Sequence, residues 1–384
     1  MPDRSTGSLD AREAEGQTKP RRRFRARFTV RAMMLVVLVI AGGLGWVVHR
    51  ARVQRDAMAA ILPSQGSIRN DWEWQNDKYI PVALQKPPGP KWLVDRLGIE
   101  YFSNIVAVKM YEHGSDALLA PIGRLDRLES LSVQGKQYTD RGLAYLEGLS
   151  HLRILTLFDT QVGDAGLAHL KRLTHLQILD LGFCKVGDTG LAHLKRLTSL
   201  KRLSLARTRV TDAGLIHLRG LARLEHLDLW DTHVGNAGLA HLRGLTHLEV
   251  LHLGETEVGD TGMAQLERLS NLSSLDLSRT HVTDAGLIHL TGLTNLVRLD
   301  LDHTQITDAG LVYLKELPNL SVLKLQSTKI TDAGLKHLAQ FKTCQVILLG
   351  WTGVTHAGMA ELRESLPQTQ VYDEMASVHH GSWR

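Results

Sequence analysis

The sequence predicts an α/β solenoid, curved, with parallel strands on a concave face and helices on a convex face, preceded by one transmembrane helix. Three observations predict it. The C-terminal two thirds repeat one pattern with a period of 24 residues. Inside each copy, leucines two apart read as a short strand and leucines three apart as a helix. Ahead of the repeats lies an uncharged apolar run, Ala32 to Val48. An ordinary chain of 384 residues would hold two or three globular domains. A repeat overrides that estimate, because a solenoid grows by stacking units instead of closing one core.

The chain opens with a basic segment, residues 1–31. Lys19, Arg21, Arg22, Arg23, Arg25, Arg27 and Arg31 follow one another without an acidic residue between them. These charges supply much of the formal excess of +5. Beside an apolar run they read as a topology signal, and no nucleic-acid-binding signature accompanies them. Nucleic acid is therefore not an expected partner. The run Ala32 to Val48 has 17 residues, the short end for crossing a bilayer, and the flanking Arg31 and Arg50 can extend it by snorkelling. His49-Arg50-Ala51-Arg52 follows where a signal peptidase would need small residues, so an uncleaved signal anchor is expected. The positive-inside rule leaves the N-terminus in the cytoplasm and exports the repeats to the periplasm or the exterior. Ala41 and Gly45 form a small-xxx-small pair that can bring two such helices together as a weak homodimer.

Residues 49–127 form a Trp- and Pro-rich juxtamembrane segment and the N-terminal cap, which a solenoid needs over its first layer. Ile68 to Trp74 reads as a strand, Pro81 and Lys86 to Pro90 as a loop, Lys91 to Leu97 as a short helix and Ile105 to Met110 as the first strand of the stack. Trp72, Trp74 and Trp92 read as a plug over exposed leucines, or else as a ligand platform.

The repeats occupy 128–374, about ten units. One copy from Leu152 reads LRILTLFDTQVGDAGLAHLKRLTH. Leu155 and Leu157 point inward from a strand. Thr160 can bond backbone as the chain turns out of it. Asp164 starts the helix, in a column also held by Asp140, Asp188, Asp212, Asp260, Asp284, Asp308 and Asp332, with Asn236 and His356 as exceptions. Asp and Asn are strong N-caps. Gly stands two residues later in all ten copies, Gly142 through Gly358, where a side chain would obstruct the turn. Leu167, Leu170 and Leu173 lay the helix on the core. Cys184 and Cys344 are too many repeats apart for a disulfide, roughly 30 Å at the spacing of stacked strands, and read as buried packing thiols. After the last unit, Ser365-Leu366-Pro367 ends a helix, Gln370 to Tyr372 closes the sheet, and 375–384 is a tail expected to lack order.

The pattern LxxLxLxxTxVTDAGLxxLxxL resembles the leucine-rich-repeat superfamily, in the strand-plus-helix form of the ribonuclease-inhibitor and cysteine-containing types. The whole arrangement of basic tail, single anchor, Trp-rich segment and TDAGL repeats is similar to membrane-anchored leucine-rich-repeat proteins of the planctomycete type, which would make this a bacterial envelope protein. The resemblance covers residues from about 20 to 374. It implies a leucine-rich-repeat solenoid and no particular chemistry.

On each strand the residues between the inward leucines face the concave surface and vary from copy to copy. From these columns come the candidate ligand-binding residues: Asp180, Asp228, Trp230, Asp231, His252, Asp276, Arg298, Asp300 and Asp302. Asp276 and Asp300 fall on neighbouring strands, where like charges repel unless a cation or an Arg such as Arg298 lies between them. An open Trp such as Trp230 suits a binding anchor. The repeated histidines His169, His193, His217, His241, His289 and His337 lie on the diverging helices and read as solvated surface residues, so no metal is expected. HExxH, GxSxG, P-loop and CxxC patterns are absent, and no cofactor or catalytic residue is assigned. The expected function is a non-catalytic, membrane-tethered module that binds a protein or an envelope polymer. The alternatives are an intracellular adaptor of the ubiquitin-ligase type and an architectural envelope protein that binds copies of itself.

Overall fold

The computed structural model describes residues 30–75, 78–79 and 89–373. The basic tail up to residue 29, the proline-rich loop at 81–88 and the C-terminal tail lie outside the described residues. The chain divides into two compact units, one ending at Val48 and one starting at His49. In the first, the helix Val30–Ile61 begins, and its side chains from Met33 to Trp46 are exposed and apolar. Among the described residues it is the one helix long and apolar enough to cross a membrane, with a mean hydropathy of 2.2 over its most apolar window.

The second unit starts with the end of that helix, which continues well past Val48. Ala51, Gln54, Ala57 and Ile61 recur at helical spacing and are buried. Gln54 is satisfied on both sides of its amide, donating to the carbonyls of Glu100 and Ser103 and accepting from the Ile105 N–H at 2.9 Å. Arg55 meets Glu100 at 2.7 Å. These residues cover the first layer, and Trp92 does so less than the sequence suggests. Trp92 is 68 % exposed on the helix Lys91–Leu97, and Trp72 is half-buried. The expected strand from Ile68 to Trp74 also breaks in two. Ser67–Asn70 pairs antiparallel with Ile105–Met110, and a turn closed by Asn70 and Glu73 sends Trp74–Gln75 into a separate pair with Lys78–Tyr79.

From Ile105–Met110 onward every pairing in the thirteen-stranded sheet is parallel, ending with Gln370–Tyr372. The register advances by one full repeat per strand, as in Leu155 beside Leu179 beside Leu203. The inward leucine columns are fully buried, as are Cys184 and Cys344, both free thiols. Burial pushes the Cys344 thiol up to about 11, out of reach of thiolate chemistry at neutral pH. The helical side is shorter than expected. A single α turn such as Asp164–Leu167 passes into a 3₁₀ turn, Ala168–Leu170. The three-residue spacing of Leu167, Leu170 and Leu173 is the 3₁₀ period, not the α period.

The aspartate column does something other than cap its own helix. Asp164 is the first residue inside the helix, and Gly163 precedes it. Each carboxylate reaches instead into the following repeat. Asp188 accepts from the Thr211 N–H at 2.8 Å and from the Thr211 hydroxyl at 2.7 Å, and Asp260, Asp284, Asp308 and Asp332 hold Thr283, Thr307, Thr331 and Thr355 in the same way. Asp116 already does this to Thr139, so the interlock begins in the cap. Asn236 keeps one such bond, 2.8 Å from the Gly259 N–H. The invariant glycine follows from the same contact. A Cβ on Gly286 would lie 2.6 Å from the Asp260 carboxylate, and one on Gly142 would lie 2.5 Å from that of Asp116. Glycine is present because the neighbouring repeat's carboxylate occupies the space a side chain would need.

At four joints the capping position is Gly instead of Thr, and at Gly235 Asp212 makes its bond to the N–H alone, 2.7 Å long. Gly235 has an extended φ of −121°, and a Cβ there meets only ordinary contacts, none shorter than 3.5 Å. Gly235→Thr should therefore stabilise the fold by about 0.5–1.5 kcal/mol, adding a hydroxyl bond and restricting the unfolded chain. Asp212→Ala should cost about 1–3 kcal/mol, and Asp212→Asn less, as Asn236 does natively. Urea unfolding of the full chain in detergent measures all three; equal midpoints would show that the joint carries no stability.

Candidate functional site

The strand face is built from three columns per repeat. The first is the last residue of each strand: Asp180, Ser204, Asp228, His252, Asp276, Asp300 and Lys324. Its aspartates bend back on the chain. Asp180 accepts from the Gly182 N–H at 2.9 Å, Asp228 from Trp230 at 3.0 Å, Asp276 from Ser278 at 2.8 Å and Asp300 from Asp302 at 3.0 Å. Each is an Asx turn that holds the chain as it leaves the strand. Asp228, Asp276 and Asp300 are only 7, 5 and 7 % exposed. They do not form an open acidic strip, because neighbours at strand spacing crowd side chains this short. Burial raises the carboxyls of Asp180, Asp228 and Asp276 above their usual range.

The second column, two residues on, holds Phe158, Gly182, Ala206, Trp230, Gly254, Ser278, Asp302 and Gln326. A large ring is followed by a glycine in the next repeat both times, at Phe158–Gly182 and at Trp230–Gly254. A Cβ on Gly182 would come within 3.2 Å of the Phe158 ring, and one on Gly254 within 3.0 Å of the Trp230 ring. The rings thus lie against the turn that follows the neighbouring strand.

The third column is Asp159, Phe183, Arg207, Asp231, Glu255, Arg279, His303, Ser327 and Trp351. All nine are left-handed, with φ between 51° and 61°. Each of these costs a non-glycine residue about 1–2 kcal/mol. The conformation aims the N–H at the next repeat: Arg207 N–H reaches the Trp230 carbonyl at 2.7 Å and Glu255 N–H the Ser278 carbonyl at 2.8 Å. It also sets the side chains on an outer ridge. Arg207 meets Asp231 at 3.2 Å, and Arg279 lies between Glu255 at 3.5 Å and His303 at 3.3 Å. The Phe183 ring packs at a tilt 4.9 Å from Phe158 and 6.5 Å from Trp230, with the Arg207 guanidinium 5.3 Å over its ring. Phe158, Phe183 and Trp230 thus form one half-buried aromatic patch on the strand face.

A family model described as a leucine-rich repeat region matches residues 151–349. This chain belongs to the leucine-rich-repeat family. Among curated proteins there is no match. An internalin (inlF) from Listeria monocytogenes is similar in structure, with a TM-score of 0.54 at 20 % identity, over 74 % of this chain and 87 % of that one. Internalin C2 from the same organism is 30 % identical over 54 % of this chain and 82 % of its own, with a TM-score of 0.43. At 20 % identity the likeness to the first is one of fold.

In this leucine-rich-repeat protein the sequence-derived candidates fall into separate groups. Trp230 and Asp231 join the aromatic patch and the outer ridge. His252 is 3.8 Å from Asp228. Asp300 is held by Lys324 at 2.8 Å, and Arg298 is exposed two residues before it, so the cation beside the carboxylates comes from the next strand. Phe158, Phe183 and Arg207 were not singled out; two phenylalanines in variable columns of consecutive repeats were the available signal. Among the described residues no group of His, Cys, Asp and Glu is arranged to hold a metal ion.

Asp302 stands apart. Its carboxyl accepts from the Gln326 N–H at 2.6 Å, and it is pushed up to about 7 by burial first and by Asp300 second. A carboxyl whose folded pKa is raised binds protons more tightly in the folded state, so its effect on stability is most favourable near pH 4 and weakens as pH rises to 7. Asp302→Asn should accordingly stabilise the protein at pH 8, with the gain vanishing toward pH 4. Melting temperatures across that range check it, and a gain that is flat with pH would be inconsistent with the raised carboxyl.

Proposed function

We propose that the chain is a membrane-tethered, non-catalytic binding module that recognises a protein segment through its concave face. The observation that carries this reading is the Phe158–Phe183–Trp230 patch with Arg207 across it. These side chains lie outside the leucine columns that build the core, and half-buried aromatics with an Arg are the composition of binding hot spots. The partner's complement is an apolar group seated on Trp230 and Phe183, flanked by charges that match the ridge of Arg207, Asp231, Glu255 and Arg279. An envelope polymer is the second occupant the same surface suits, since sugar rings also pack on aromatic faces. The buried Asp228, Asp276 and Asp300 support the shape of this face more than they offer contact. The roles of Asp180, His252, Arg298 and Asp302 in binding belong to the same proposal.

Tethering rests on the exposed apolar helix through Ala32–Val48, and export of the repeats on the seven basic residues before it. An adaptor role inside the cell and self-assembly in the envelope are less favoured, because the aromatic patch is single and does not recur along the stack as a lattice contact would.

Two measurements test the proposal. In a capture experiment with the full chain in detergent against envelope extract, Trp230→Ala and Phe183→Ala should each weaken retention of the captured species at least tenfold. An unchanged captured set would remove the concave face from the function. Reporter fusions after Arg384 should be active only for a reporter that works outside the cytoplasm; activity of a cytoplasmic reporter alone would overturn export.

A further inference from the structure

A second surface lies on the rim where the chain enters the strands, away from the aromatic patch. From the fifth repeat joint on, this rim is closed by a ladder of amides. Asn271 donates to the Thr246 carbonyl at 2.8 Å, Asn295 to Ser270 at 2.9 Å and Asn319 to Thr294 at 2.9 Å, with Thr343 to Pro318 at 3.3 Å continuing it. The same column in the earlier repeats is His151, His175, Ser199, Arg223 and His247, and among the described residues no such bond is made there. Instead the rim opens into a cavity of about 410 Å³, within the size range of small-ligand sites.

Its walls are cationic. Arg153, Lys201 and Arg223 line it, with His151 and His175 beside them and Glu129 as the one acidic lining residue. Arg223, His151, His175 and Lys201 are exposed. Lys201 meets Glu225 at 2.7 Å, but both side chains are substantially exposed, and a surface pair of this kind yields readily to a competing anion. A cavity lined by guanidinium and ammonium groups favours closely spaced anionic oxygens, which Arg engages with two parallel hydrogen bonds.

We infer that this rim cavity is a binding site for a small polyanion with closely spaced phosphate or carboxylate oxygens. The site is separate from the concave aromatic face, so it stands whether or not that face binds a protein.

The test is calorimetric titration of the full chain in detergent with inorganic triphosphate, with citrate as the carboxylate arm. Saturable binding is expected, weakening with salt. The triple variant Arg153→Gln, Lys201→Gln, Arg223→Gln should lose at least tenfold in affinity. The basic N-terminal tail is present in both proteins, so the difference between them reads the cavity alone. Ser199→Glu breaks no hydrogen bond of the sheet and places a carboxylate in the same space; it should weaken binding too, while Arg243→Gln, outside the cavity, should not. A preference for triphosphate over citrate identifies a phosphate-bearing ligand, and the reverse a carboxylate. Affinity of the triple variant within twofold of the unaltered chain would overturn the site.

Discussion

The fold depends on one contact made at nearly every joint: a carboxylate at the start of one helical turn accepts hydrogen bonds from the capping residue of the next. A 24-residue unit has too little interior to fold alone. Burial of leucine between units is strong but gives little direction, because one leucine layer fits another at many angles. The Asp188–Thr211 type of bond supplies direction, fixing both the distance between helical turns and their register. The glycine two residues later is a consequence of the same contact, since the incoming carboxylate fills its Cβ position.

On the opposite side the same logic runs through backbone. Three-residue strands would make a weak sheet by themselves. The chain prolongs the ladder by turning one residue per repeat left-handed, so that its N–H still reaches the neighbour's carbonyl. The Asx turns of Asp180, Asp228, Asp276 and Asp300 steady the residue before it. The conformational cost falls on the column where side chains are most free to vary, and that column forms the outer ridge.

Much of this was legible beforehand. Period, strand, turn, threonine and closing strand follow from leucine spacing and from the residues that interrupt it. What was not legible is what depends on contact between repeats. Asp164 reads as an N-cap of its own helix because local capping is the commonest use of aspartate, and sequence does not show that a neighbour 23 residues ahead presents an N–H to it. Alternation likewise placed Asp228, Asp276 and Asp300 on the outer face correctly, but it carries no information on crowding, and they are nearly covered. Trp92 was read as a cover because a cover is required; Ala51, Gln54, Ala57 and Ile61, at the start of the juxtamembrane segment, take that place.

His356 occupies the last position of the aspartate column, and among the described residues its helix is followed by the closing strand alone. Each joint is therefore donor-to-acceptor in one sense along the chain, and the series stops where the acceptor is missing. A whole unit excised or duplicated between two such positions would recreate the same joint on both sides. Length is then a free variable of the design: such an array can grow or shrink by entire modules, bringing new faces beside old ones, with no need to redesign the seam.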